Sequence, residues 1–223
     1  MKTVIITGTS SGLGRSLAEC FLKNGFRVMG LSRSKFVDQI HHINYSHHNC
    51  DITNLQAIIN FSMIIKQPID LLIHNAASFS LQKFEKESTY KISQMIDTNL
   101  KAPMILTGQM LPFMKEGSKI FFINSVAGLE EIENQSVYCA TKYGLTAFAG
   151  VLGKELKDRG IKVTSFHPGG INTPLWDNIG FHADTSKLLD PNDVAELVLN
   201  TYNAPKNMVL KTVQFFPDME WHQ

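Results

Sequence analysis

Thr3-Val4-Ile5-Ile6-Thr7-Gly8-Thr9-Ser10-Ser11-Gly12-Leu13-Gly14 is the stretch on which the reading of the whole chain turns. Thr3 to Thr7 is a strand-like run. After the glycines, Leu13, Leu17 and Phe21 recur every four residues and mark the buried face of a helix, which Asn24-Gly25 stops. A strand, a glycine-rich turn and a helix in that order make a site for phosphate. Gly8 permits the tight turn, Gly12 lets a pyrophosphate approach the backbone, and Gly14 allows the helix to pack closely on the strand. The helix N-terminus adds unpaired N–H groups and partial positive charge. Gly8, Ser10, Ser11, Gly12, Leu13 and Gly14 are therefore candidate binding residues. The spacing is G-x-x-x-G-x-G rather than G-x-G-x-x-G, so the turn alone also admits a reading without a ligand.

Outward from this unit, short apolar runs alternate with helix-like segments. The further strand candidates are Arg27–Leu31, Tyr45–Cys50, Asp70–His74, Lys119–Asn124, Lys162–His167 and Val209–Phe215. Most are continuous apolar runs, as expected of strands covered on both faces. Pro103 falls near the start of one helix, and Asp190-Pro191 opens the last with a cap and a first-turn proline. The connection from Ser34 to His42 is short, so its helix is expected to be stunted. Alternating strand and helix implies parallel strands with right-handed crossovers. The expected architecture is α/β: a single Rossmann-like, doubly wound domain over residues 1–223, with about seven parallel strands and helices on both faces.

Composition narrows the function classes. The chain has 223 residues, 43% hydrophobic and 18% charged, with a formal net charge of +1, so a broad basic footprint for nucleic acid is absent. Cys20, Cys50 and Cys139 are far apart and lack metal-ligand spacing, which suits reduced thiols in a cytoplasmic protein. No apolar run reaches the length of about 18 residues that a membrane span needs, and no secretory leader pattern precedes Thr3. His41, His42, His47 and His48 have no carboxylate or cysteine in a ligand pattern beside them, and no metal is expected.

The second strand ends Gly30-Leu31-Ser32-Arg33-Ser34. A site selective for NAD places an acidic residue here for the ribose 2′-hydroxyl. Here there is none. Ser32 and Arg33 instead suit a 2′-phosphate, with Arg15 as a helper, so NADP(H) is preferred and NAD(H) stays possible. A solvated surface arginine is the plain alternative.

Tyr138 and Lys142 stand four residues apart, one turn of the same helix face. An ammonium beside a phenol favours the phenolate, so the pair is a candidate acid–base device. Chance matches to Y-x-x-x-K are common, and an ordinary helix face explains the pair equally when it is read alone. Ser125 follows the apolar Lys119–Asn124 run, at the strand end where ligands collect in such sheets.

With these residues in place, the chain resembles the short-chain dehydrogenase/reductase family nearly end to end. The matching segments are Thr7 to Gly14, Asp51 with Ile52 after the third strand, Asn75-Ala76-Ala77, Asn99, Ser125, Tyr138 with Lys142, and Pro168-Gly169-Gly170-Ile171-Asn172-Thr173. The resemblance implies an oxidoreductase that interconverts a carbonyl and an alcohol. Asn99, Ser125, Tyr138 and Lys142 would be catalytic. Asp51, Ile52, Asn75, Ala76, Ala77, Tyr138, Lys142, Pro168, Gly169, Ile171 and Thr173 would join the glycine turn in holding the cofactor. Ser125 and Tyr138 would bond the substrate oxygen, Lys142 would lower the tyrosine pKa and hold the nicotinamide ribose, and Asn99 would hold a water linked to Lys142.

The departures are Ala77 for the usual glycine, His74 for asparagine, and an end, Phe216 to Gln223, without the family's glycine-rich finish. A segment near 174–190 is expected to cover the substrate. Leu175, Trp176, Ile179 and Phe181, with Phe79, suggest a small-molecule substrate with an apolar body, and Trp176 is the residue assigned to it. Glu130, Glu131 and Glu133 would discourage an anionic substrate if they faced inward. Gly144, Ala147, Gly150 and Gly153 recur along the Tyr138 helix, which in the family commonly forms a dimer interface, so a homodimer is expected, with a tetramer possible. Rival readings are a non-catalytic NADP-binding sensor, which would be free to lose the four catalytic residues, a nucleotide-sugar epimerase and a methyltransferase.

Overall fold

The computed structural model describes residues 1–33, 40–177 and 184–218. Seven strands form one sheet: β1 (Thr3–Thr7), β2 (Arg27–Ser32), β3 (Tyr45–Asn49), β4 (Ile69–His74), β5 (Met114–Ile123), β6 (Lys162–Pro168) and β7 (Thr212–Phe215). Their spatial order is β3-β2-β1-β4-β5-β6-β7, and every pairing is parallel. The chain winds outward from β1 to β3, returns to β4, and then winds outward the other way. The switch between β1 and β4 opens a crevice at the carboxyl ends of the strands.

Helices α1 (Gly12–Lys23) and α6 (Pro191–Tyr202) cover one face, where Leu17, Phe21 and Val198 meet Val4, Ile6, Leu71 and Phe121. Helices α2 (Leu55–Met63), α4 (Ala102–Met110) and α5 (Ser136–Glu155) cover the other, where Ile58, Leu106 and Leu145 meet Ile5, Leu72, Ile120 and Phe122. Alternate residues of one strand thus feed two cores, which is why the strands read as continuous apolar runs. β3 lies at the sheet edge, and its polar Tyr-Ser-His-His-Asn sequence suits a partly exposed position.

Two local features need their residues named. Helix α3 (Thr89–Ile96) runs into α4 through a π-helical turn, Asp97–Lys101. Pro103 has no N–H to give the Asn99 carbonyl four residues back, so the α-helical ladder cannot close there and the turn widens. Asp190 caps α6 through Asn192 N–H at 2.7 Å, with Pro191 in the first turn, as expected. The short connection after β2 lies largely in 34–39, outside the described residues.

Candidate active site

The glycine turn sits at the switch point. Gly8 donates its N–H to the Leu31 carbonyl at 2.7 Å, which ties the turn to the end of β2. Gly8 and Gly12 have φ of 74° and 51°, conformations that a side chain would strain. Gly14 is required by proximity instead: a Cβ there would collide with the Gly8 carbonyl and lie 2.6 Å from Asn75 Nδ2. The turn is locked to β4 by two residues. Thr7 Oγ1 accepts from the N–H groups of Asn75 (2.9 Å) and Ala76 (3.0 Å), and Asn75 Nδ2 donates to the Thr7 carbonyl at 2.9 Å. Asn75 therefore shapes the site by bracing it, a use of its side chain that the motif alone does not reveal.

A cleft of about 760 Å³ opens over the strand ends. Gly8, Ser10, Ser11, Leu13, Gly14, Ser32, Arg33, Asp51, Ile52, Asn75, Ala76 and Ala77 line one arm of it; Ser125, Tyr138, Lys142, Pro168, Gly169, Ile171, Thr173 and Trp176 line the other. Among the residues expected to bind or react, Gly12 and Asn99 are not on its wall. Gly12 sits just behind it, with Thr173 Cβ 3.0 Å from where a Cβ would be. Arg33 is exposed at the rim, whereas Arg15 is paired with Glu19 at 2.9 Å and does not line the cleft. Asp51 Oδ1 accepts from Thr53 N–H and Oγ1, a local turn that fixes the carboxylate.

At the cleft floor, Ser125 follows β5 in extended conformation, its hydroxyl near Tyr138 and accepting from Ala127 N–H at 3.2 Å. Tyr138 and Lys142 are both buried in α5, and the Lys142 Nζ lies 5.4 Å from the phenol ring centre. Asn99 is buried behind them. Its Nδ2 donates to the Ser78 carbonyl (2.8 Å) and Thr141 Oγ1 (3.2 Å), and its Oδ1 accepts from Ser78 N–H (2.8 Å). The amide is thereby fully engaged in joining the π turn to α5 and to the loop after β4.

The electrostatics differ from the sequence-based expectation. Lys142 does not pull the Tyr138 phenol down in this arrangement. Burial raises that phenol above its ordinary value, opposed chiefly by the Ser125 hydrogen bond. Lys142 Nζ donates to the carbonyls of Ile123 (3.2 Å) and Asn124 (3.4 Å), and burial pushes its pKa down to about 7. The physical reason is shared: a dry site disfavours the charged form of both groups.

Over the floor lies an apolar cap. Phe79 meets Tyr138 edge-on at 4.7 Å and Trp176 at 5.6 Å, and Ile132 and Leu175 pack on the same cluster. Trp176 is held by donation from Nε1 to the Ile171 carbonyl at 2.8 Å. Of the segment expected to cover the substrate, Pro174, Leu175 and Trp176 line the cleft; Ile179 and Phe181 lie outside the described residues. Glu130 also lines it, while Glu131 accepts from Tyr143 Oη instead. Phe216 reaches the cleft because Gly169 N–H bonds the Phe215 carbonyl, which no local pattern in the chain end signals. Among the described residues no group of three or more His, Cys, Asp or Glu side chains is placed to hold a metal, and no helix is long and apolar enough to cross a membrane.

The short-chain dehydrogenase family model matches residues 2–183. The chain belongs to the short-chain dehydrogenase family. Membership makes it an oxidoreductase by class. It is 28% identical to an uncharacterized oxidoreductase of Staphylococcus aureus strain N315, over 97% of each chain. Among solved structures it is similar to a serine dehydrogenase complexed with NADP+ (25% identical, TM-score 0.83, 96% of this chain and 94% of that one). The fold is also that of a Brucella melitensis 3-ketoacyl-(acyl-carrier-protein) reductase complexed with NADH (21% identical, TM-score 0.88, 97% of each chain).

Proposed function

We propose that this dehydrogenase interconverts a carbonyl and an alcohol with NADP(H) in preference to NAD(H), Tyr138 being the proton donor and acceptor. The observation that carries the reading is the meeting of Ser125, Tyr138 and Lys142 on the floor of the cleft that the glycine turn also borders. The chain's own residues fit a dinucleotide. The turn carries glycines where a side chain would clash or strain, the α1 N-terminus faces the same cleft, and Arg33 stands at its rim without an acidic residue beside it. The NADP+ of the serine dehydrogenase complex supports the same choice. When bound, the nicotinamide supplies or accepts the hydride.

The protein supplies position and a proton. Ser125 Oγ and Tyr138 Oη would hold the substrate oxygen, and Tyr138 would pass its proton to that oxygen in reduction. Lys142, between the phenol and the carbonyls of β5, would refill it, and the Asn99 backbone, where Pro103 breaks the helical ladder, would hold the water that leads out. Phe79, Ile132, Leu175 and Trp176 favour a substrate with an apolar body. We also assign the protein to the cytoplasm as one domain over 1–223 that forms a homodimer through α5. There the small residues divide: Gly144 packs under Leu100 and Gly153 near Val163, whereas Ala147 and Gly150 are exposed. A three-residue repeat drifts by about 60° per step around a helix, so only part of the series can face a partner.

The test is NADPH oxidation followed at 340 nm against ketones, aldehydes and quinones, with Tyr138→Phe in parallel. Turnover that the variant loses, with NADPH binding retained, supports the reading. NADPH binding without turnover across the panel would favour the sensor reading.

A further inference from the structure

Beyond the tyrosine, lysine and serine, a buried side chain behind the floor of the cleft has no part in the chemistry above. His167 is fully buried near the end of β6, and its Nδ1 lies 2.9 Å from the Ser125 carbonyl oxygen. A carbonyl only accepts, so the proton is on Nδ1. The other ring nitrogen, Nε2, is buried with no hydrogen-bond partner. A leucine would fill similar space without stranding a nitrogen, so packing alone does not account for histidine here.

The sheet explains what the imidazole does. The β5–β6 ladder ends with Asn124 N–H donating to the Phe166 carbonyl at 2.8 Å. The next rung of a parallel ladder would come from the N–H of residue 168 to the Asn124 carbonyl. Residue 168 is proline and has none. Two consequences follow. The Asn124 carbonyl is left to accept from Lys142, and the strand would lose its hold on β6 just before the reacting serine. His167 restores that hold one residue further on, by side chain instead of backbone. We infer that His167 is a positioning residue: it fixes the Ser125 peptide to β6, and so aims the Ser125 hydroxyl at Tyr138.

The inference rests on the proposed carbonyl chemistry for its catalytic consequence, but its structural content is independent. The experiment compares His167→Leu, which removes the donor, with His167→Asn, whose Nδ2–H can take the place of Nδ1–H. Each is measured for kcat and KM per folded protein and for amide hydrogen exchange at Ala127, whose N–H bonds Ser125 Oγ. The expected result for His167→Leu is a kcat lower by about tenfold, the worth of one well-placed hydrogen bond, with the KM for NADPH unchanged and faster exchange at Ala127. His167→Asn should recover most of both. Wild-type kcat and exchange in a folded His167→Leu would overturn the inference, as would failure of a folded His167→Asn to restore either. If the unmodified protein reduced no carbonyl, the proposed chemistry would fall, and the exchange comparison would still decide whether His167 holds Ser125.

Discussion

Replacing Lys142 by methionine should make the cofactor-free protein's stability less dependent on pH, and the structure sets the size of the effect. Burial brings the Lys142 pKa down to about 7, against about 10.4 in an unfolded chain. Below about pH 7 the amine is protonated in both states, and the folded state bears the whole cost of burying the charge. Between about pH 7 and about pH 10 the unfolded chain binds the proton and the folded one does not, so stability rises with pH. At about 1.4 kcal/mol per unit, the limit is about 5 kcal/mol over that window. Relaxation and water entry reduce such penalties in real proteins, and about 2–4 kcal/mol is expected.

Urea unfolding by circular dichroism, without cofactor, at steps from about pH 7 to about pH 9.5, measures it. Staying below pH 10 keeps the Tyr138 phenol, common to both proteins, out of the comparison. The wild type should gain on Lys142→Met steadily as the pH rises. Parallel curves would refute the claim that burial governs this lysine, and would mean that it finds its charge compensated in the dry site.

Three further outcomes follow from the geometry. Gly14→Ala drives a methyl into the Gly8 carbonyl and Asn75, so it should cost about 1–3 kcal/mol in urea unfolding and abolish NADPH binding in titration calorimetry. Arg33→Glu should weaken NADPH binding by about 10- to 100-fold, the worth of a charge-assisted phosphate contact, and leave NADH binding no weaker; equal loss for both nucleotides would show that Arg33 does not read the 2′-phosphate. Phe79→Ala removes the ring that Tyr138 and Trp176 pack against, at about 3 kcal/mol of stability, and should raise KM for apolar ketones more than for small ones. A uniform change in KM would remove Phe79 from substrate selection.

The chain announces its sheet more openly than its site. Strands such as Thr3–Thr7 and Ile69–His74 are buried on both faces, so their apolar residues run on without alternation, interrupted in the second by the half-buried Asp70. β5 was legible only from Lys119. Its first half, Met114-Lys115-Glu116-Gly117-Ser118, lacks an apolar run and passes through Gly117 at φ 85°, where the register against β4 shifts. The π turn is likewise silent in any periodicity: Pro103, read near a helix start, does stand in the first turn of α4, but nothing in the pattern signals that the helical run continues back through a widened turn. Ordered motifs identified the cleft wall well because turns demand particular residues at particular spacings. They could not identify its braces. Thr7 and His167 work on backbone groups just past the ends of neighbouring strands, and a backbone N–H or carbonyl has no signature in sequence.

The largest divergence lies in the Tyr138–Lys142 pair, and it is instructive about direction. Four-residue spacing on a helix predicts proximity, from which a charge effect on the phenol is expected to follow. Proximity is found, but the same enclosure that brings the groups together removes the water on which the charge depends. Burial loosens the ammonium's hold on its proton, so its charge, and the effect it was expected to exert, is only partly present at neutral pH. What remains is a phenol that burial holds protonated at neutral pH, next to an amine that can take or give a proton there. Under the proposed chemistry, reduction consumes the protonated phenol, whereas oxidation must begin from the phenolate. The cofactor-free site is thus already in the form that reduction uses. Oxidation has to meet the cost of ionising Tyr138 first, so its rate should climb with pH over the range in which reduction stays level, and a stopped-flow comparison of the two directions would show it.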